Sequence, residues 1–187
     1  MSVWWVRHGP THETVFTGWR DVPADLSDSA ALARLAGYLP AEATIVSSDL
    51  SRARATADAI QGARRRLGDH PGLREIDFGA WDGMAFDAIA ARWPDLSRRF
   101  WEEPGDIAAP DGESWNAAEA RVSAAIDEIA AATGGPLIVV AHFGAILTQL
   151  RRARGCTPYE VLAQKIDNLS VTHLPGDRDP VVVNHRP

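Results

Sequence analysis

The run Val3-Trp4-Trp5-Val6-Arg7-His8-Gly9-Pro10-Thr11 decides how this chain is read. Its β-branched and aromatic opening makes a short buried strand. Gly9 and Pro10 stop that strand, which leaves His8 on its lip. In open α/β sheets the carboxyl ends of the strands are where ligands bind. Gly9 has no Cβ, so a ligand can come close to the backbone there.

The same ending recurs later in the chain. Leu137-Ile138-Val139-Val140-Ala141 is apolar throughout, as a central parallel strand should be, and it runs straight into His142-Phe143-Gly144. Parallel strands share their carboxyl ends, so His8 and His142 belong on one edge of the sheet. Thr44-Ile45-Val46 reads as a further strand, and Ser47-Ser48-Asp49 as the cap of a helix over residues 50–66. Arg52 falls in the first turn of that helix. A cation there costs about a few tenths of a kcal/mol against the dipole unless an anion binds beside it. Arg7, Arg52, His8 and His142 converge with no carboxylate partner among them, and such a set suits a phosphate. Arg54 faces another direction.

Around these strands the chain alternates strand and helix. The loop from His8 to Asp25 carries Thr11, Thr14, Thr17, Trp19 and Arg20, and a loop of that length is usually functional. Ser27 or Asp28 caps a helix ending near Leu39. Leu73 and Ile76 flank Arg74-Glu75 in an extended piece, and an irregular loop follows over residues 77–83. Short helices are expected over residues 86–92 and 95–103, with a loop over 104–112. Ser114 caps a longer helix whose stripe is Trp115, Ala118, Val122, Ile126 and Ile129. A helix over 158–164 and strands over 170–174 and 181–183 complete the chain. This order predicts one α/β domain over residues 1–187, a mostly parallel sheet with helices on both faces.

Composition narrows the classes. With 45% hydrophobic and 24% charged residues, the 187-residue chain is ordinary for a globular domain. Its longest apolar run is strand-sized, far below the roughly 18 residues of a membrane span. No basic, apolar leader opens it, and a single cysteine, Cys156, excludes an internal disulfide, so a cytoplasmic address is expected. A net charge of −6 speaks against nucleic acid as a partner. Arg64-Arg65-Arg66 reads as a solvated helix end. An oligomeric state is not legible, and a homodimer stays open.

Arg7-His8-Gly9, Ser48-Asp49-Leu50-Ser51-Arg52-Ala53, Leu73-Arg74-Glu75 with Phe78-Gly79 and Trp81-Asp82-Gly83, Gly112-Glu113-Ser114 and Ala141-His142-Phe143-Gly144 together resemble the histidine phosphatase family, also called phosphoglycerate mutase-like. The likeness covers nearly the whole chain in order, and is greatest to short phosphatases such as the α-ribazole phosphatases. It implies a three-layer α/β/α fold and a phosphomonoester hydrolase acting on a small phosphorylated metabolite. By that likeness His8 is the nucleophile that becomes phosphohistidine, and Arg7, Arg52 and His142 bind phosphate. Glu75 is the proton donor, expected to be buried near Phe78 and Trp81. Thr11, Thr17 and Gly18 are expected near substrate or phosphate. Two guanidiniums and a second imidazole can hold the transferring group without a metal or cofactor. The chain departs from the family pattern at Pro10, Thr14 and Phe143, where Glu, Asn and Gly are frequent. Trp19, Trp81 and Trp115 could shape an aromatic pocket.

Three other readings stand beside this one. The first is a phosphoglycerate mutase, and the second a non-catalytic binding module on the same fold. The third is a metallohydrolase on His8 and His12, whose spacing makes a metal pair only on a helix, which Gly9 and Pro10 forbid.

Overall fold

Strand β3 (Leu137–Ala141), wholly buried, is the middle of the site-bearing half of the sheet. The computed structural model describes residues 1–176 and 181–187. β1 (Val3–Arg7) and β2 (Thr44–Ser47) pair with β3 in parallel on either side, with Val6 opposite Val140 and Val46 opposite Val139. β4 (Val171–Leu174) is antiparallel to β1, and β5 (Val182–His185) is antiparallel to β4, in the order β2-β3-β1-β4-β5. β4 alone runs against the others, so the sheet is mixed and mostly parallel.

Alternation along β3 feeds two cores. Leu137, Val139 and Ala141 pack with Val122 and Ile126 of α5 (Trp115–Thr133) and Ile146 of α6 (Phe143–Arg154). Ile138 and Val140 pack with Leu35 of α1 (Ser29–Tyr38) and Ala53 and Ile60 of α2 (Ser51–Ile60). Successive side chains of a strand point to opposite faces, so an apolar strand needs helices on both. A third, smaller cluster joins Phe16 and Trp81 to Ile89 of α3 (Phe86–Arg92) and Phe100 of α4 (Pro94–Glu102). After α6, the short α7 (Pro158–Leu162) begins with a capping box of Thr157 and Glu160.

The expected caps hold for two helices. Asp28 accepts from Ala31 N–H at the start of α1, and Ser114 from Ala117 N–H at the start of α5. Each is worth about 1 kcal/mol. The start of α2 differs from expectation. Leu50 is its N-cap residue, without a side-chain cap. Ser51 N–H is taken instead by Asp21 at 2.7 Å, while Asp49 pairs with Arg74. α2 also stops at Ile60, so the arginine triplet is not its solvated end. Arg64 donates to the carbonyls of Ala36 and Leu39, which places a cation at the C-terminus of α1. Of the expected extended piece, Leu73 instead closes a turn of 3-10 helix over Pro71–Leu73, and Arg74 follows it with extended backbone.

Among the described residues, no helix is long and apolar enough to cross a membrane.

Candidate active site

Strand geometry brings the two histidines together. His8 N–H donates to Ala141 C=O at 3.1 Å across the β1–β3 boundary, and the ring centroids of His8 and His142 lie 5.1 Å apart. Both side chains are buried, His8 6% exposed and His142 not at all.

The backbone around His8 is clamped by protein. Asn168 donates to His8 C=O at 2.9 Å, and Gly9 N–H donates to Thr56 Oγ1 of α2 at 2.9 Å. A Cβ on Gly9 would meet Leu26 Cδ2 at 2.5 Å. The close approach that requires glycine there is therefore made by the returning loop, whereas the sequence suggested a ligand.

Hydrogen bonds set the tautomers of both rings. His8 Nδ1 lies 2.7 Å from Gly9 C=O, an acceptor, so Nδ1 carries the proton and Nε2 keeps its lone pair. Burial, then the Arg52 charge, lowers the His8 pKa to about 3, against the pull of the Gly9 hydrogen bond. A neutral, nucleophilic imidazole follows across the physiological range. His142 has the opposite arrangement. Arg52 Nε donates to His142 Nδ1 at 3.2 Å, which leaves the proton on Nε2. Burial and then the neighbouring His8 hold its pKa well below the ordinary value.

Arg52, 1% exposed, is fixed by its other nitrogens to Arg20 C=O at 3.0 Å and Gly18 C=O at 2.6 Å. Arg7 donates to Ile166 C=O at 2.6 Å, and its guanidinium lies over the Phe143 ring at 5.5 Å. Two buried donors here, Arg7 Nε and His142 Nε2, have no hydrogen-bond partner among the described residues. Each unpaired buried donor costs about 1–3 kcal/mol, which an acceptor supplied by an anion would recover.

Glu75, 7% exposed, belongs to the same site. Its Oε1 accepts from Ile76 and Ala145 N–H, and its Oε2 from Gly144 N–H, at 3.0–3.2 Å. The carboxyl thus sits at the N-terminus of α6, where backbone donors are free. Trp81, expected against it, belongs to the third cluster, and Phe78 alone of that pair lines the pocket. A Cβ on Gly144 would come within 2.5 Å of Glu75 Oε1, so glycine is what lets the carboxyl in. The Glu75 carbonyl accepts from Trp19 Nε1 at 2.8 Å and Arg121 at 3.0 Å, and Arg121 is itself held by Glu113.

Arg7, His8, Arg52 and Glu75 all line one cavity of about 260 Å³; His142 is not on that lining but packs against His8. Thr11 and Thr17 line it too, as expected. Gly18 does not; its carbonyl positions Arg52, and a Cβ there would press on Ile76 C=O at 2.7 Å. Trp19 stacks between Arg74 and Arg121, and Trp81 and Trp115 are core residues. The aromatic lining comes instead from Phe16, Phe78, Phe86, Trp101 and Phe143. Phe86 and Trp101 escaped sequence reading because short amphipathic helices show no difference between a rim and a core aromatic. Arg121 and Asp21 carried no local signal at all. His12 pairs with Asp25 at 2.9 Å and takes no part in the lining.

Comparison with known proteins adds a family. A model described as histidine phosphatase superfamily (branch 1) matches residues 3–186. The bifunctional protein Rv2228c of Mycobacterium tuberculosis is 39% identical over 140 residues, 73% of this chain and 36% of that protein. The chain thus matches about a third of that relative's length. A 2,3-bisphosphoglycerate-dependent phosphoglycerate mutase of Brucella anthropi is 29% identical over 178 residues, covering 87% of this chain and 85% of the mutase. Among solved structures, mycobacterial glucosyl-3-phosphoglycerate phosphatase Rv2419c superposes with a TM-score of 0.81 at 26% identity, covering 97% of each chain. The α-ribazole phosphatase of Shigella flexneri has a TM-score of 0.82 at 19% identity, over 100% of this chain and 97% of that one, which is a likeness of fold.

Proposed function

This chain belongs to the histidine phosphatase superfamily, and on that premise we propose that it is a metal-independent phosphomonoester hydrolase acting through a phosphohistidine on a small phosphorylated metabolite. The observation that carries the reading is the pairing of a free lone pair with free donors. His8 Nε2 is the nucleophile, and Arg7 Nε and the Nε2–H of His142 are buried donors awaiting an anion. Arg7, Arg52 and His142 take the equatorial oxygens of the phosphoryl group.

In the first step the His8 Nε2 lone pair bonds to phosphorus as the ester P–O bond breaks, and protonated Glu75 gives its proton to the leaving oxygen. In the second, water attacks the phosphohistidine and passes a proton to the Glu75 carboxylate. The P–N bond breaks and phosphate leaves, with Glu75 protonated again. Arginines do what a metal does in other phosphoryl-transfer sites.

The test is to trap the intermediate. Brief exposure to labelled substrate should yield an acid-labile, base-stable phosphoenzyme that survives chelators and is absent in His8→Ala, with phosphatase turnover lost. Turnover above a few per cent in that variant would overturn the mechanism.

The Brucella relative favours a second reading, a phosphoglycerate mutase. A mutase must shield its phosphohistidine from water while the substrate reorients. The stretch between Glu75 and His142 is consumed by α3, α4, α5 and β3, which leaves little chain there for a closing lid. With 3-phosphoglycerate and its bisphosphate, phosphate release should therefore outrun formation of 2-phosphoglycerate.

A further inference from the structure

We infer that the outer part of the pocket selects a phosphomonoester whose leaving group carries one flat apolar ring and no negative charge, an inference that rests on the phosphatase reading above. The cations of the lining are Arg7 and Arg52, which the phosphatase reading assigns to the phosphoryl group with His8. The rest of the lining mixes Thr11, Val15 and Thr17 with five aromatic rings, of which Phe143 lies against Arg7. Phe16 lies 4.2 Å from Phe86 and 6.0 Å from Trp101, ring centroid to ring centroid, and Phe86 lies 6.5 Å from Trp101. Phe86 is 62% exposed, a large ring kept at the rim of the cavity. Such rings offer faces and edges to a planar group, worth about 0.5–1.5 kcal/mol per aromatic pair beyond area burial.

Besides His8 and Glu75, the ionisable group left on the lining is Glu13. It pairs with Arg20, whose guanidinium is off the lining. A substrate with a second anion, such as a phosphoglycerate carboxylate or another phosphate, would meet Glu13 with no lining cation left to receive it. Glu13 is exposed and already paired with Arg20, so the missing lining cation is what disfavours a second anion.

The experiment compares three alkyl esters, so that leaving-group acidity does not decide the result: benzyl phosphate, glycerol 3-phosphate and 3-phosphoglycerate. Benzyl phosphate should exceed glycerol 3-phosphate about tenfold in kcat/KM and 3-phosphoglycerate about a hundredfold. Phe86→Ala and Trp101→Ala should each cut the benzyl preference to about threefold, chiefly through KM. Glu13→Gln should narrow the gap to 3-phosphoglycerate. If 3-phosphoglycerate is hydrolysed as well as benzyl phosphate while His8 still forms a phosphoenzyme, the substrate class is wrong and the phosphatase reading stands. If no ester is turned over, the phosphatase reading falls, and calorimetric binding of phosphonates judges the pocket alone. Benzylphosphonate should bind wild-type protein about tenfold tighter than methylphosphonate; equal binding would overturn the inference.

Discussion

Arg52 Nε donates to His142 Nδ1 at 3.2 Å, tying the first turn of α2 to the residue that follows β3. One guanidinium thereby sets the tautomer of a histidine ninety positions away, and makes its other nitrogen a donor. Lysine keeps the charge but has no fork with which to hold Arg20 C=O, Gly18 C=O and His142 together. Arg52→Lys should lower kcat/KM about a hundredfold, with the protein still folded. The nitrogen NMR shifts of His142 should lose the pure Nε2–H pattern. Activity within threefold of wild type would remove Arg52 from this role.

Acid should weaken the fold through the same histidines. The His8 pKa is lowered to about 3 in the folded state, and that of His142 is also depressed. As pH falls below 6.5, the unfolded chain takes up protons that the folded one refuses, so stability rises with pH between about 3 and 6.5 and is flat for these groups above it. His8 contributes a slope on the order of 1.4 kcal/mol per pH unit in that window, and His142 adds to it in the same direction. Denaturant unfolding at pH 5 and 7.5 should show the loss, and His8→Ala should show a smaller one. An unchanged difference in that variant would contradict a neutral buried His8.

Gly144 and Glu75 test the proton donor. In Gly144→Ala the new Cβ would strike Glu75 Oε1 and Ile76 Cδ1, so the carboxyl must leave its three N–H donors. Overpacking of this kind costs about 1–3 kcal/mol of stability. Both Gly144→Ala and Glu75→Gln should slow benzyl phosphate about a hundredfold, and 4-nitrophenyl phosphate, whose leaving group needs little protonation, by less than tenfold. Equal losses on both esters would assign the proton elsewhere.

Arg121 is a positioning residue by its contacts. It donates to the carbonyls of Gly72, Arg74 and Glu75 while Glu113 grips it with both oxygens. Arg121→Lys keeps a charge opposite Glu113 but cannot span these acceptors. We expect kcat on benzyl phosphate to fall about tenfold, with KM and the rate on 4-nitrophenyl phosphate nearly unchanged. A uniform loss on both esters would mean that Arg121 serves the fold alone.

Much of this architecture was legible from the chain. The two strand ends at His8 and His142, the caps Asp28 and Ser114, and the stripe of α5 are encoded within a few residues of themselves. Apolar period and cap chemistry act over one or two turns, and the parallel pairing of β1 and β3 then puts both histidines at one edge. Arg52 was legible for a related reason, as a cation in a first turn that disfavours it.

Other features depend on groups far apart in sequence. Asp21 caps α2 in place of the serines beside it, Arg64 closes α1, and Leu26 claims the space over Gly9. Nothing near those residues announces such partners, because loop packing decides which donor reaches which acceptor. The reversed direction of β4 was likewise settled by pairing to β1, since a short apolar strand reads the same either way. Which aromatics face the pocket was also a tertiary matter. Trp81 and Trp115 went to core clusters and Phe86 and Trp101 to the rim, according to how α3 and α4 pack, and the same amphipathic pattern serves both outcomes. The residues gathered at the strand ends, His8, Arg52 and His142, were therefore written in local sequence, while the aromatic shape of the cavity beside them came from the packing of distant segments.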